Sequence, residues 1–276
     1  MTRMVIEGVA YEVEVRGSGP SLLLLHGFTG TARGWEALTE GLAQSHRVIA
    51  PDLLGHGRSD APTDPARYGL ERQAADLAGL LRRLDATPAD VLGYSMGARL
   101  AAWLAIDAPD AIERLALESP SAGIVDADAR QARRRADERR AAMLEAKGLE
   151  AFVDAWEAEP FFASHADLSE AARTRLRAER LSHHPRGLAA SLRGAGQGAM
   201  EPLHDRLERI DAATLVVAGE LDRAGAERAR EVAAGIRGAR WELVPGAGHM
   251  PHLEQPGVFE DLLAHFLIST AATPTH

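Results

Sequence analysis

Apolar and polar residues alternate through MVIEGVAYEVEVRG, residues 4–17. That period of two predicts a half-buried antiparallel hairpin. PSLLLLHG (20–27) is different: a short continuous apolar run stopped by glycine, which predicts a strand buried on both faces. Helical spacing follows in RGWEALTEGLAQ (33–44), and HRVIAPD (46–52) reads as another short strand. From Leu70, apolar residues recur at Ala74, Leu77, Leu80, Leu81 and Leu84, one face of a helix. ADVLGYS (89–95) predicts a strand, MGARLAAWLAIDAP (96–109) a helix stopped near Pro109, and AIERLALES (111–119) a further strand. Strands alternating with helices predict a mostly parallel sheet flanked by helices, an α/β fold.

From Ala122 to Met200 the alternation breaks. No buried strand is predicted there, only charged, alanine-rich helical segments such as VDADARQARRRADERRAAMLEAKG, LEAFVDAWEAEP and LSEAARTRLRAERL. Strand and helix then resume in ATLVVAGE, AERAREVAAGI, ARWELVPGAG and GVFEDLLAHFL. The expected organisation is a core in two parts, 1–121 and 201–268, interrupted by a helical cap at 122–200. The tail, 269–276, is expected to be disordered.

Composition narrows the classes. The 276 residues include no cysteine, which removes disulfides, thiolate metal sites and a cysteine nucleophile. A net charge of −9 argues against nucleic-acid binding by the whole molecule. No apolar run is long enough for a membrane span, and the N-terminus has no h-region of a signal peptide. A cytoplasmic protein that does not insert into membranes is expected, and oligomeric state is left open. Lysine occurs once, at Lys147, so arginine supplies nearly all positive charge.

Within that frame GYSMG (93–97) matches G-x-S-x-G between a predicted strand and helix. This is the sequence of a nucleophile elbow, in which Ser95 projects from a tight turn at the sheet edge. The N–H of Met96 then faces the same space. A second donor for an oxyanion hole is the N–H of Phe28, just after His26-Gly27, with His26 itself read as structural. For this fold the triad order is serine, acid, histidine. Glu220 and Asp222 close one later strand, and His249 and His252 follow the next. Asp222 and His249 are selected, with His252 and Glu254 held as alternates and Glu220 read as turn structure. Asp52, His56 and Arg58 lack a zinc spacing and read as a structural loop.

Arg99 is one helical turn beyond Ser95 on the same helix face, in an otherwise apolar segment. Its burial requires either a structural acid or an anionic ligand. In the cap, RQARRRADERR carries six arginines, and Arg130, Arg133 and Arg134 share a face. If that face covers the pocket, an anionic substrate is expected.

Taken together, LLLLHGFTG…W, PDLLGHGRSD, LGYSMGARLA, LESPSAG, LRGAGQGA and GAGHMPHLEQP resemble the MenH family of the α/β-hydrolase superfamily. Members are 2-succinyl-6-hydroxy-2,4-cyclohexadiene-1-carboxylate synthases of menaquinone (vitamin K2) biosynthesis. The likeness spans nearly the whole chain, and its specific part is the cap strings and the arginine directly after GYSMGA. Ala98 departs from the pattern, where relatives often have a second glycine. The resemblance implies an α/β-hydrolase fold and a lyase that eliminates pyruvate. It implies a triad of Ser95, Asp222 and His249, anion-binding arginines at Arg99, Arg133 and Arg180, and pocket residues at Tyr94 and Trp156. The implied substrate is small and bears carboxylates, with no metal or organic cofactor. The rival expectations are a serine esterase or carbon–carbon hydrolase with the same triad, and a non-catalytic hydrolase-fold receptor.

Overall fold

A computed structural model describes residues 1–268; the tail expected to be disordered lies outside the described residues. One eight-stranded sheet organises the chain, in the order β1-β2-β4-β3-β5-β6-β7-β8. The strands are β1 (Thr2–Ile6), β2 (Val9–Arg16), β3 (Ser21–Leu25), β4 (Arg47–Pro51), β5 (Ala89–Tyr94), β6 (Ile112–Glu118), β7 (Ala213–Gly219) and β8 (Arg240–Val244). β2 is antiparallel to β1 and to β4, and the remaining pairs are parallel. Parallel strands need crossovers, and these are α1 (Glu36–Leu42), α2 (Leu70–Arg83), α3 (Met96–Asp107) and, later, α7 (Arg223–Gly235), while α9 (Pro256–Ile268) follows the last strand.

The four leucines of β3 show how the sheet is buried. Leu23 and Leu25 enter one apolar cluster with residues of α2, α3 and α7, while Leu22 and Leu24 enter the other with residues of α1 and α9. Alternate side chains of a strand point to opposite faces, so an uninterrupted apolar run needs cover on both. Burial of each leucine contributes on the order of 2 kcal/mol.

Between β6 and β7 lie α4 (Ala127–Glu157), α5 (Glu170–Arg180) and α6 (Pro185–Ala195), joined by a short 3₁₀ segment at Pro160–Asp167. These helices are called the cap below. α4 is interrupted at Gly148, whose φ of 81° and ψ of 179° leave the helical region. The interruption falls between the two helical stretches expected from the sequence. The cap has its own small core, including Leu144, Phe152, Trp156 and Leu192, and Phe28 and Met250 of the sheet domain pack against it.

A candidate active site under the cap

Ser95 lies between β5 and α3 with φ 50° and ψ −102°, a conformation few non-glycine residues adopt. The two motif glycines make it possible. A Cβ on Gly97 would stand 2.1 Å from the Leu25 carbonyl oxygen, and one on Gly93 would stand 2.4 Å from that of Gly97. Both approaches are closer than any side-chain carbon tolerates. Ala98 sits fully buried in the core on α3.

Asp222 caps the N-terminus of α7, its Oδ1 accepting the Gly225 N–H at 2.9 Å. His249 lies on the loop after β8. Its Nδ1–H donates to Asp222 Oδ2 at 2.6 Å, which leaves Nε2 to accept the Ser95 hydroxyl at 3.1 Å. Burial pushes the Asp222 carboxyl up, but the hydrogen bond and charge of His249, with the Gly225 N–H, hold it below the usual range. Asp222 thus remains anionic and fixes the tautomer in which His249 can take the serine proton. Among the described residues, neither the Phe28 N–H nor the Met96 N–H has a protein acceptor. Both residues line the same cavity as Ser95, of about 470 Å³.

The alternates considered from sequence have other tasks. His252 is held by Glu118, 0% exposed, which accepts its backbone N–H at 2.9 Å and its ring Nδ1–H at 2.8 Å. Glu220 accepts the Gly246 N–H in a turn. His26 bonds only loop backbone, donating from Nδ1 to the Gly27 oxygen and accepting the Leu53 N–H at Nε2. Asp52 likewise accepts the N–H groups of Ala32 and Arg58.

Glu254 accepts the N–H of Gly248 at 2.6 Å and that of Met250 at 2.9 Å. Burial alone would raise its pKa. His165 and Ser164 beside it, with those two N–H groups, outweigh burial and bring it down to about 2. A carboxyl lowered from 4.5 contributes about 3 kcal/mol of stability. That contribution is complete above pH 4.5 and lost as pH falls through 2. Glu254→Gln should therefore be destabilised at pH 6 and lose less than the wild type on going to pH 2.5. Parallel losses in denaturant titrations at the two pH values would refute this.

Arg99 is 6% exposed and lines the cavity. Its Nη1 donates to the Ala195 carbonyl oxygen at 2.7 Å and contacts Met200 Sδ at 3.4 Å. It has no carboxylate partner among the described residues. Burial, aided by the charge of Arg133, lowers its pKa to about 10, Asp137 opposing. Of the three cap arginines sharing a face, Arg133 lines the cavity, where it bonds Asp137 at 2.8 Å and Gln197 at 3.1 Å. Arg130 instead donates to the Ile124 and Val125 carbonyls, and Arg134 lines a separate groove with Glu138 and Arg193.

Tyr94 and Trp156 are on the cavity wall, Trp156 stacked on Phe152 and edge-on to Phe28. The buried indole N–H of Trp156 has no hydrogen-bond partner among the described residues. Arg180 stands next to the main cavity, in a pocket that shares Phe28, Tyr94 and Phe162 with it. It bonds Glu157 at 3.1 Å, lies 4.7 Å over the Phe162 ring, and borders that small adjoining pocket with Glu179 and His252.

The structure adds two cavity arginines that the sequence reading missed, Arg140 and Arg228. Arg140 is seven residues beyond Arg133, two turns along the same helix face, so periodicity contained that signal. It bonds Glu159 and approaches Asp137. Arg228 follows Ala224 at i+4 on α7, and its charge helps hold the Asp222 carboxyl down.

Residues 20–256 match the family model described as alpha/beta hydrolase fold. A Bacillus subtilis (strain 168) protein, provisionally named 2-succinyl-6-hydroxy-2,4-cyclohexadiene-1-carboxylate synthase, is 40% identical over 96% of this chain and 97% of its own. The synthase of that name from Enterobacter sp. (strain 638) is 30% identical over 90% of this chain and 92% of its own. The solved structure of MenH from S. aureus superposes with a TM-score of 0.88 at 32% identity, covering 93% of this chain and 97% of that one. The chain belongs to the MenH family of α/β-hydrolases.

For a member of that family the sheet explains the site. Ser95, Asp222 and His249 come from the carboxyl ends of β5, β7 and β8, and Phe28 from that of β3. In open parallel sheets ligands bind at this edge, and here the cap closes over it. No helix among the described residues is long and apolar enough to cross a membrane.

Proposed function

We propose that the enzyme eliminates pyruvate from 2-succinyl-5-enolpyruvyl-6-hydroxy-3-cyclohexene-1-carboxylate, giving 2-succinyl-6-hydroxy-2,4-cyclohexadiene-1-carboxylate for menaquinone synthesis. The observation that carries this reading is Arg99: a buried cation beside the serine, facing a cavity, with no carboxylate among the described residues bonded to it. A neutral ester has no use for such a group. A substrate with three carboxylates does, and Arg133, Arg140 and Arg228 add positive charge around the same space. The names of the relatives agree with it.

His249 takes the Ser95 proton, and the serine oxygen removes the ring proton α to the succinyl ketone. The electron pair of that C–H bond becomes an enolate, whose oxygen the N–H groups of Phe28 and Met96 stabilise. As the enolate collapses into the ring diene, the C–O bond to the enolpyruvyl group breaks. The departing enolpyruvate takes up a proton and becomes pyruvate. Neither water nor an acyl-enzyme enters the sequence. Arg99, Arg133 and the Trp156 N–H bind the carboxylates, and Tyr94 and Phe28 shape the wall.

The test compares two reactions of the wild-type enzyme. Pyruvate release from the enolpyruvyl substrate, followed with a coupled assay, is expected to exceed p-nitrophenyl acetate hydrolysis in kcat/KM by at least about 10³-fold, the scale of two or more charged contacts. Faster ester turnover with no pyruvate would establish the esterase reading instead. Tight ligand binding without multiple turnover would establish a receptor.

A further inference from the structure

Glu254 ends the short helix α8 (Pro251–Glu254), and its side chain is 4% exposed. Its two oxygens accept from Gly248 and Met250, the residues on either side of His249. The His249 carbonyl is held in turn by the Ser119 hydroxyl at 2.9 Å. The backbone of the histidine is therefore gripped on both flanks by one carboxylate, independently of the Asp222 bond to its ring.

The far side of that carboxylate faces the cap. His165 Nε2 stands 3.6 Å from Glu254 Oε1, just beyond hydrogen-bond range. Ser164 Oγ lies against Gly248, where an added Cβ would be 2.0 Å from it. Neither atom completes a hydrogen bond among the described residues, although both stand near enough to Glu254 to help lower its pKa. A buried polar atom without a partner is costly, and two neighbours in that state beside one carboxylate are unusual. They belong to the 3₁₀ segment Pro160–Asp167, which also places Phe161 5.1 Å and Phe162 6.2 Å from the His249 ring, between centroids. A shift of this segment toward Glu254 by about half an ångström would bring His165 into bonding range.

We infer that Glu254 is a positioning residue through which the cap sets the His249 imidazole for proton transfer. The inference rests on the reading of His249 as the base that accepts the Ser95 proton. Glu254 touches no reacting atom. It fixes the loop from which His249 projects, and the cap segment is coupled to that loop through it.

The experiment uses Glu254→Gln, His165→Leu and the double variant of the full-length enzyme. The kinetic readout is kcat and KM for pyruvate release. The spectroscopic readout, which needs no substrate, is the low-field proton resonance of His249 Nδ1–H. In Glu254→Gln an amide NH₂ replaces one acceptor and meets a backbone N–H. A fall in kcat of about 10–100-fold is expected, the scale set by ångström misplacement of a reacting group, with KM within about threefold and the low-field resonance shifted or broadened. His165→Leu should lower kcat by less and add nothing in the Glu254→Gln background, the non-additivity of residues acting through one another. An unchanged resonance and kcat in Glu254→Gln would overturn the inference, as would losses that multiply in the double variant. Should Glu254→Gln fail to fold, His165→Leu decides alone, an unmoved resonance being the negative result. If the wild-type enzyme releases no pyruvate, the proposed reaction falls, while the resonance still decides whether Glu254 positions His249.

Discussion

Ser95→Ala is expected to lower kcat for pyruvate release by about 10³-fold or more, the contribution of a positioned general base. The bound substrate gains little from a single hydroxyl, so KM should change by less than about threefold and nearly all of the loss should fall in kcat. The fold should survive. The positive φ of Ser95 is imposed by β5, α3 and their glycines, and alanine meets the same backbone strain as serine. Residual turnover would come from His249 reaching the substrate directly and from the Phe28 and Met96 N–H groups, which the substitution leaves in place. A rate within tenfold of the wild type, measured with the coupled assay, would remove Ser95 from the role of base.

Arg99→Met should separate activity from stability. The enzyme is expected to lose about 3–4 kcal/mol of transition-state binding, a fall in kcat/KM of several hundredfold, because a desolvated carboxylate would lose its cation. Stability should move little. A buried arginine lowered from 12.5 to about 10 weakens the fold by about 3 kcal/mol at every pH below 10, an effect that fades as pH rises through that value. Methionine relieves this and keeps the packing volume. Against that relief stands the Ala195 carbonyl oxygen, which loses its donor at 2.7 Å and with it about 1–3 kcal/mol. The two nearly cancel, and thermal unfolding within a few degrees of the wild type is the expected result. A large drop in Tm with kcat/KM preserved would make Arg99 a structural residue and leave the carboxylate reading without its main support.

Local chemistry was legible in the sequence wherever it depends on neighbours along the chain. G-x-S-x-G between a strand and a helix predicts the elbow because the strained turn needs both glycines, and the structure shows the carbonyls that crowd them. Asp222 rather than Glu220, and His249 rather than His252, were selectable from order and turn position, and the hydrogen bonds at 2.6 and 3.1 Å link the selected pair to Ser95. What escaped depends on contacts distant in sequence. Arg99 was expected to be buried, but whether an acid met it could be learned only from what surrounds α3 in space. Arg180 carries the same charge as Arg133, yet Glu157 and Phe162 hold it in the adjoining pocket. Glu254 read as a spare acid for the triad because nothing local reveals that both its oxygens turn back onto the loop of His249.

The position of the cap in the chain has a consequence for how such enzymes diverge. β6 and β7 pair side by side, Glu118 opposite Val217, although the whole cap intervenes between them. Closing a flexible connection depends only logarithmically on its length, so doubling the intervening segment would weaken the pairing by about 0.6 kcal/mol. The sheet that aligns serine, acid and histidine is thus nearly indifferent to what is inserted there. Insertions, deletions and exchanged arginines in α4 and α6 can remodel the pocket wall while the 160–167 segment keeps its place beside the His249 loop, and descendants of one scaffold can acquire new substrates while their reactive centre stays fixed.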